Sequence, residues 1–241
     1  MKEPRERLIV AVDVPDRAAA LAAVDRLAGH VGCFKLGLEI FVREGPDLVR
    51  EIGARGVKVF LDLKLHDIPN TVAGAVRSAC RLGVSMLTLH AAGGRKMLEA
   101  ALEASQSASP PPLLLAVTAL TSLAQEDALS IGIRDPITSW VMRLAEGAGQ
   151  AGIRGLVASA HELPHLHAKF GNSMEFVIPG IRPGGAASQD QARTASPRDA
   201  ILAGAGYLVV GRPILLALDP AAAADQIVAD ISSAMGAIEK P

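Results

Sequence analysis

An acid and a base stand two residues apart in an otherwise apolar stretch, Val57 to Thr71, which reads VKVFLDLKLHDIPNT. Alternate residues of a β-strand point to the same face of the sheet, so Asp62 and Lys64 leave this strand side by side. Burying such a pair costs free energy unless the two charges interact. Asp67 follows where the strand gives way to a loop. The rest of the chain has to account for a charged pair at the end of an otherwise apolar strand.

Two further charged side chains, Asp13 and Lys35, interrupt other apolar runs of the chain. Asp13 lies near the carboxyl end of its predicted strand, as the Asp62–Lys64 pair does, whereas Lys35 falls earlier in its strand. Each charge has a structural explanation: Asp13 can cap a turn, and Lys35 can extend to the rim of the sheet. The pair at 62 and 64 can be an ion pair, but a buried ion pair adds little net stability. Their convergence therefore favours a functional cluster.

Eight short apolar runs alternate with helical patterns along the chain. We predict strands in Leu8–Val14, Cys33–Ile40, the first part of Val57–Thr71, Met86–Ala91, Leu113–Ala119, Gly155–Ala160, Glu175–Pro179 and Tyr207–Gly211. Helices are predicted between them, one of them from about Gly45 to Ala54. Eight such units in 241 residues predict an α/β fold, a (β/α)8 TIM barrel spanning residues 1–241 as a single domain. An open doubly wound sheet is the structural alternative.

The segments after the last two strands indicate phosphate binding. The eighth strand ends in Gly211 and Arg212, and glycine lets backbone N–H groups approach an anion closely. Barrels commonly bind phosphate after strands seven and eight, where Arg182 could add a bidentate contact. An ordinary glycine turn with solvated arginines is the alternative. The segment Ile181–Pro197 is polar, glycine-rich and too long for a simple turn, which is typical of functional loops.

Composition and charge exclude several functional classes. The formal net charge is −1 and aromatic residues make up 3%, so neither nucleic acid nor an anionic membrane is an expected partner. The two cysteines, Cys33 and Cys80, match no metal-binding or redox spacing and predict a reducing compartment. The N-terminal segment lacks the features of a signal peptide, and no apolar run reaches the length of about 18 residues that spans a membrane. We therefore expect a cytoplasmic protein.

Two glycine- and histidine-containing motifs mimic known sites. Gly147, Gly149 and Gly152 spell GxGxxG, but the motif follows a helix and precedes a strand, the reverse of a dinucleotide fingerprint. The segment His161–His165 spells HExxH, yet its proline is tolerated only in the first turn of a helix and no third ligand is evident. We expect a helix end at the first motif and no zinc at the second. His167 is expected on the surface, and His90 as a hydrogen-bonded wall of the site.

The stretch DLKLHDIPNTV resembles the signature of bacterial orotidine 5′-phosphate decarboxylases. The similarity extends over nearly the whole chain through motifs in the same order: AVDV, FKLG, LHAAGG, VTALTS, PGIRP, DQAR and VVGRPI. Other sugar-phosphate barrels share the DxKxxD core, whereas the added IPNT, LTS, IRP, DQ and VGRPI make the match specific. Two segments depart from the family pattern: the small, apolar GGAAS at 184–188 and HELPHLH at 161–167.

The resemblance implies that orotidine 5′-phosphate loses CO2 to give UMP, the last step of de novo pyrimidine synthesis, without a metal or an organic cofactor. Lys64 is implied as the proton donor to C6, in a network with Asp62 and Lys35. Other implied contacts are Asp13 and Lys35 with the ribose, Thr121 and Ser122 with the pyrimidine, and Arg182, Gln191, Gly211 and Arg212 with the phosphate. The loop around Gln191 is implied to fold over the ligand.

The family also implies a homodimer in which Asp67, Ile68 and Thr71 come from the neighbouring subunit, Asp67 completing the charged network. Two rivals remain open. A magnesium-dependent hexulose-phosphate synthase would share Asp62, Lys64 and Asp67 but lack the IPNT, IRP and DQ motifs, which are present here. A non-catalytic phosphate-binding barrel would have lost at least one of the charged residues, and none is lost.

Overall fold

Eight parallel strands close into a barrel in sequence order, with the last strand paired to the first. This computed structural model describes residues 2–183 and 195–238. The strands are β1 Leu8–Ala11, β2 Cys33–Gly37, β3 Val59–Leu65, β4 Met86–His90, β5 Leu113–Val117, β6 Gly155–Val157, β7 Glu175–Ile178 and β8 Tyr207–Val210. Because β1 and β8 pair, the open sheet is excluded and the predicted (β/α)8 barrel is confirmed.

Helices connect the strands and cover the outside of the barrel. They are α1 Arg17–Leu27, α2 Leu38–Gly53, α3 Pro69–Cys80, α4 Arg95–Ser105, α5 Gln125–Ser130, α6 Ile137–Gln150, α7 Leu163–Phe170, α8 Pro197–Leu202, α9 Arg212–Leu215 and α10 Pro220–Ile238. No helix in the described part of the chain is long and apolar enough to span a membrane.

The prediction was wrong about where the first two strands end, and it missed the helical segment that begins at Leu38. Strand β1 ends at Ala11 rather than Val14, and β2 ends at Gly37, directly before α2 starts at Leu38. Short apolar runs fit a strand or a buried helix face equally well, and Ile40 is buried as part of such a face. Gly45 has a φ of +68° and separates two helical segments of α2 at a kink, so the second segment begins after Gly45, as predicted.

Alternate strand residues form two apolar layers. One set packs outward against the helices, and the other fills the barrel interior: Ile9, Ala11, Cys33, Phe60, Met86, Leu115, Val177 and Val209. The predicted face of β3 is confirmed, because Phe60 lies in the interior cluster while Leu61 packs outward. The next inward-facing residues along two of these strands are charged. Lys35 lies two residues after Cys33, and Asp62 lies two residues after Phe60. The fold thus places charged groups directly above an apolar floor.

Candidate active site

A cavity of about 270 Å³ lies at the carboxyl ends of the barrel strands. Most of the residues that the sequence singled out line it: Asp13, Lys35, Asp62, Lys64, Thr121, Arg182, Gly211 and Arg212. Its remaining wall is largely apolar and includes Phe60, Val177 and Val209 from the barrel interior. The cavity therefore combines a charged rim with an apolar floor, an arrangement typical of small-molecule sites.

Four side chains form a row of alternating charge along one side of the cavity. The Nζ of Lys64 lies 2.8 Å from both carboxylate oxygens of Asp62. The Nζ of Lys35 lies 3.5 Å from Oδ2 of Asp62 and 3.4 Å from Oδ1 of Asp13. Each lysine thus faces a carboxylate, and Asp62 receives both ammonium groups. This contact pattern confirms the pairing that the two-residue spacing predicts.

The central carboxylate of this row is well shielded from water. Asp62 is 9% exposed, and burial works to raise the pKa of its carboxyl. The charges of Lys35 and Lys64 overcome burial, helped by hydrogen bonds from Lys64 and Thr88, and hold the pKa below its ordinary value. Asp62 is therefore ionised at neutral pH, and its negative charge attracts both ammonium groups.

The backbone of Lys64 is unusual. Among the described residues it is the one non-glycine residue with a positive φ, at 51°, a conformation that costs on the order of 1–3 kcal/mol. It lies where the β3–β4 pairing shifts register, between Leu61 and Leu65. Such a β-bulge redirects a side chain out of the regular alternation. From this bulge the Lys64 Nζ still lies against Asp62, on the side that the two-residue spacing predicts.

Sequence reasoning missed two residues that shape this row. Thr88 of β4 is fully buried, accepts the Lys64 backbone N–H at 2.8 Å and donates to Oδ1 of Asp62 at 2.9 Å. A Cβ placed on Gly37 would lie 3.3 Å from the Lys35 Nζ, so glycine leaves room for that ammonium. Thr88 lies two residues after the inward-facing Met86 in MLTLH, so strand alternation places its side chain inside the barrel. That alternation is the sequence signal that could have identified Thr88.

Two arginines and a glycine form another part of the cavity lining. Arg182 follows β7, and its Nε is buried without a hydrogen-bond partner among the described residues. Gly211 and Arg212 follow β8 and also line the cavity. A Cβ on Gly211 would approach the Ala11 Cβ to 3.4 Å and the Asp13 carboxylate to 3.8 Å. These groups can receive an anion, because a buried guanidinium donor without a partner is costly unless a ligand supplies an acceptor.

Some of the predicted site residues do not meet the cavity within this chain. Asp67, Ile68 and Thr71 are exposed, and the Asp67 carboxylate accepts the N–H of Ile68 instead of joining the charged row. Ser122 is exposed beside the cavity, whose lining on that segment includes Thr121. Gln191 lies outside the described residues. The roles assigned to these residues stay predictions.

His90 lies at the end of β4 beside the charged row. Its ring is 5.4 Å from the ring of His66, measured between centroids. Burial lowers the pKa of His90, and the nearby His66 and Lys64 add to the effect, against the opposing influence of the Asp62 carboxylate. His90 is therefore neutral at neutral pH and adds no positive charge to the row.

The two mimicking motifs have structural roles. The GxGxxG glycines lie at the end of α6 and in the turn that follows, as predicted. In the HExxH segment the Glu162 carboxylate is buried and accepts hydrogen bonds from the backbone N–H and hydroxyl of Ser159, while His161 and His165 are exposed. No group of three potential ligands for a metal occurs in residues 2–183 and 195–238. His167 is half-buried against Phe176, so its expected surface position was wrong.

Comparison with known proteins agrees with this arrangement. The chain is 48% identical over 233 residues to orotidine 5′-phosphate decarboxylase of Moorella thermoacetica, covering 94% of this chain and 92% of the relative. It is 50% identical over 228 residues to the protein of that name from Halorhodospira halophila, covering 95% and 97%. The crystal structure of orotidine 5′-phosphate decarboxylase from Lactobacillus acidophilus matches with a TM-score of 0.83 at 36% identity, covering 93% and 98% of the two chains.

The family model described as "Orotidine 5'-phosphate decarboxylase / HUMPS family" matches residues 6–227. That range contains every strand of the barrel and every residue that lines the cavity. Together with the identity to the curated relatives, the match establishes kinship over almost the entire chain. The chain belongs to the orotidine 5′-phosphate decarboxylase / HUMPS family.

Proposed function

We propose that this chain decarboxylates orotidine 5′-phosphate to UMP, the last step of de novo pyrimidine synthesis. The relatives that carry this name match the chain nearly end to end. The observation that carries the proposal is the Lys64 ammonium, 2.8 Å from both oxygens of a buried Asp62 and directed into a cavity with an apolar floor. A cytoplasmic location remains part of the proposal.

The reaction requires a cation where a carbanion forms. The bond between C6 and the carboxylate breaks, CO2 departs, and the electron pair stays on C6. The Lys64 ammonium stabilises that charge and donates its proton to C6, which gives UMP and a neutral amine that solvent protonates again. A lysine suits this step as a compact charge with a transferable proton. Asp62 orients the Lys64 ammonium, Lys35 contacts the same carboxylate, and no metal or organic cofactor takes part in the proposed step.

The remaining cavity residues bind the parts of the substrate that do not react. We assign Asp13 and Lys35 to the ribose hydroxyls, and Thr121 with Ser122 to the edge of the pyrimidine. Arg182, Gln191, Gly211 and Arg212 are assigned to the phosphate. The phosphate does not react, so the free energy of binding it can drive loop closure and organise the charged row instead of only tightening substrate binding.

A second copy of the chain completes the site in this proposal. Asp67 and Ile68 are exposed, Ile68 to 67%, and neither lines the cavity of its own subunit. We assign both, with Thr71, to the active site of the partner in a symmetric homodimer. Asp67 would then add a second carboxylate beside the Lys64 ammonium.

A spectrophotometric assay of orotidine 5′-phosphate loss, with and without EDTA, tests the proposed activity. We expect turnover to UMP that EDTA leaves unchanged. Turnover that requires added magnesium would favour the sugar-phosphate chemistry of the hexulose-phosphate synthase rival. Binding of orotidine 5′-phosphate without any turnover would contradict the proposal and favour a binding protein.

A further inference from the structure

One buried hydroxyl joins the backbone and the side chains of the charged row. The Thr88 Oγ1 accepts the backbone N–H of Lys64 at 2.8 Å and donates to Oδ1 of Asp62 at 2.9 Å. The same Asp62 oxygen receives the Lys64 ammonium at 2.8 Å. The three groups therefore form a closed ring of hydrogen bonds in which the hydroxyl both accepts and donates. Thr88 is 0% exposed, so water does not compete for these bonds.

The position of Thr88 in the sheet explains why this hydroxyl is needed. Leu61 pairs with Leu87 and Leu65 with Leu89, so three residues of β3 lie opposite one residue of β4. That one residue is Thr88. At such a bulge the ladder leaves backbone groups unpaired, and a buried unpaired N–H is costly. The Thr88 hydroxyl replaces the missing ladder acceptor for Lys64.

The same bond supports the strained conformation of Lys64. A residue with a φ of +51° persists only where its surroundings hold it, and the Thr88 oxygen fixes the direction of its N–H. The proton that Thr88 donates fixes one oxygen of Asp62, which leaves the carboxylate a single orientation toward the ammonium. Both partners of the Asp62–Lys64 pair are thus aligned by one side chain.

We propose that Thr88 is a positioning residue for the reacting ammonium: its hydroxyl holds the Lys64 backbone in the left-handed conformation and locks the Asp62 carboxylate against the Lys64 Nζ. This proposal rests on the proposed function for its catalytic consequence. Thr88 does not line the cavity, so its effect reaches the substrate through Asp62 and Lys64. The hydroxyl, rather than the volume of the side chain, carries the role.

Three variants separate a positioning role from a general packing role. Thr88→Val keeps the shape and removes the hydroxyl, and Thr88→Ser keeps the hydroxyl. Thr118→Val is the matched control, because Thr118 is also buried and its hydroxyl donates to the Val157 carbonyl at 3.2 Å. Its neighbours Val117 and Ala119 line the cavity, so the Thr118 side chain faces away from the charged row. If Thr88→Val does not fold, Thr88→Ala removes the same hydroxyl without adding a methyl group against Asp62.

Steady-state kinetics and NMR test the proposal together. We expect Thr88→Val to lower kcat by about 10- to 100-fold with KM nearly unchanged, since small displacements of a reacting group cost rates of this size. Amide exchange at Lys64 should accelerate and the pKa of Asp62, followed by ¹³C NMR, should rise. Thr88→Ser and Thr118→Val should resemble the parent protein.

The proposal would be overturned if Thr88→Val kept the parent kcat and the parent rate of Lys64 amide exchange. It would also be overturned if Thr88→Ser lost as much kcat as Thr88→Val. If the parent protein does not decarboxylate orotidine 5′-phosphate, the proposed function fails, but the NMR measurements still decide whether Thr88 holds Lys64 and Asp62. A parent-like Lys64 amide and Asp62 pKa in the valine variant would overturn the positioning role in that case as well.

Discussion

The ammonium of Lys64 lies 2.8 Å from both carboxylate oxygens of Asp62, its neighbour two residues earlier on the same face of β3. Lys64 makes this contact from a bulge in β3 and with a positive φ. This geometry holds an ammonium against a buried carboxylate at the wall of the cavity. It also concentrates strain and buried charge at one point of the barrel, as functional sites commonly do.

The charge state of Asp62 predicts how stability depends on pH. The pKa of its carboxyl is lowered from 3.8 in the folded chain, so the unfolded chain binds this proton first as the pH falls. The contribution of ionised Asp62 is complete above the unfolded pKa and is lost as the pH falls through the lowered folded pKa. We expect the difference in unfolding free energy between wild type and Asp62→Asn to stay constant above about pH 5 and to decrease below about pH 4.

Urea unfolding followed by circular dichroism at a series of pH values measures this difference. Asp62→Asn is a suitable reference because the amide does not ionise, so other carboxylates contribute equally to both curves. A difference that increases as the pH falls below the unfolded pKa would show that the folded pKa of Asp62 is raised, with burial dominating over the two lysines.

The proposed phosphate contact of Arg212 predicts a binding defect. Arg212→Ala should raise the KM for orotidine 5′-phosphate by about 10- to 100-fold, because a hydrogen bond to a charged group contributes about 1.5–3 kcal/mol. Arg50→Ala is the control: Arg50 forms an exposed ion pair with Asp47 on α2 and should leave KM unchanged. Steady-state kinetics with both variants measure the effect. Equal KM values for the two variants would contradict the proposed contact between Arg212 and the phosphate.

Much of the site follows from local spacing. The alternation on β3 predicts that Asp62 and Lys64 share the inward face of Phe60, and the parallel barrel predicts that Asp13 and Lys35 reach the same mouth. These predictions succeed because strand periodicity and barrel closure are general properties of the fold. The convergence of these four charged side chains on one mouth is therefore recoverable from residue types and positions alone.

The remaining features depend on contacts between distant parts of the sequence. The bulge opposite Thr88 arises from the register of two strands, and register is not visible in either strand by itself. The room that Gly37 leaves for Lys35 requires both side chains to be placed in space. The end of β2 was missed because the apolar residues after Gly37 serve a helix face as well as they would serve a strand.

A heterodimer test addresses the proposed exchange of Asp67 between subunits. Co-expressed Lys64→Ala and Asp67→Asn chains with different affinity tags can be purified as a heterodimer. If Asp67 acts across the interface, one site combines an intact Lys64 with an intact Asp67, and the heterodimer should show about half of the wild-type activity. Each homodimer should be nearly inactive.

The matched control pairs Lys64→Ala with a chain that carries both substitutions, which leaves no intact site in either arrangement. Activity at the control level in the first heterodimer would mean that Asp67 does not complete a partner's site. It would also contradict the assignment of Ile68 and Thr71 to the interface, since both flank Asp67 in the same exposed segment.

The buried carboxylate of Glu162 should matter for stability and not for activity. Glu162→Gln replaces the acceptor of the Ser159 N–H and hydroxyl, and we expect it to lower the free energy of unfolding by about 1–3 kcal/mol. His161→Ala changes an exposed side chain and should stay within about 0.5 kcal/mol of wild type. Urea denaturation measures both values. A large fall in kcat in either variant, or sensitivity of that kcat to EDTA, would instead indicate a metal site in this segment.

The turnover of Lys64→Ala, measured beside its affinity for UMP, tests the role of the lysine most directly. Lys58→Ala is the control, because Lys58 stands before β3 and pairs with Glu6 at an exposed site. We expect Lys64→Ala to lower kcat by about 10⁴-fold or more, since it removes both the proton donor and the charge that stabilises the carbanion. UMP affinity by calorimetry should change little, and Lys58→Ala should retain wild-type kcat. Retention of more than about a tenth of the wild-type kcat by Lys64→Ala would contradict Lys64 as the proton donor.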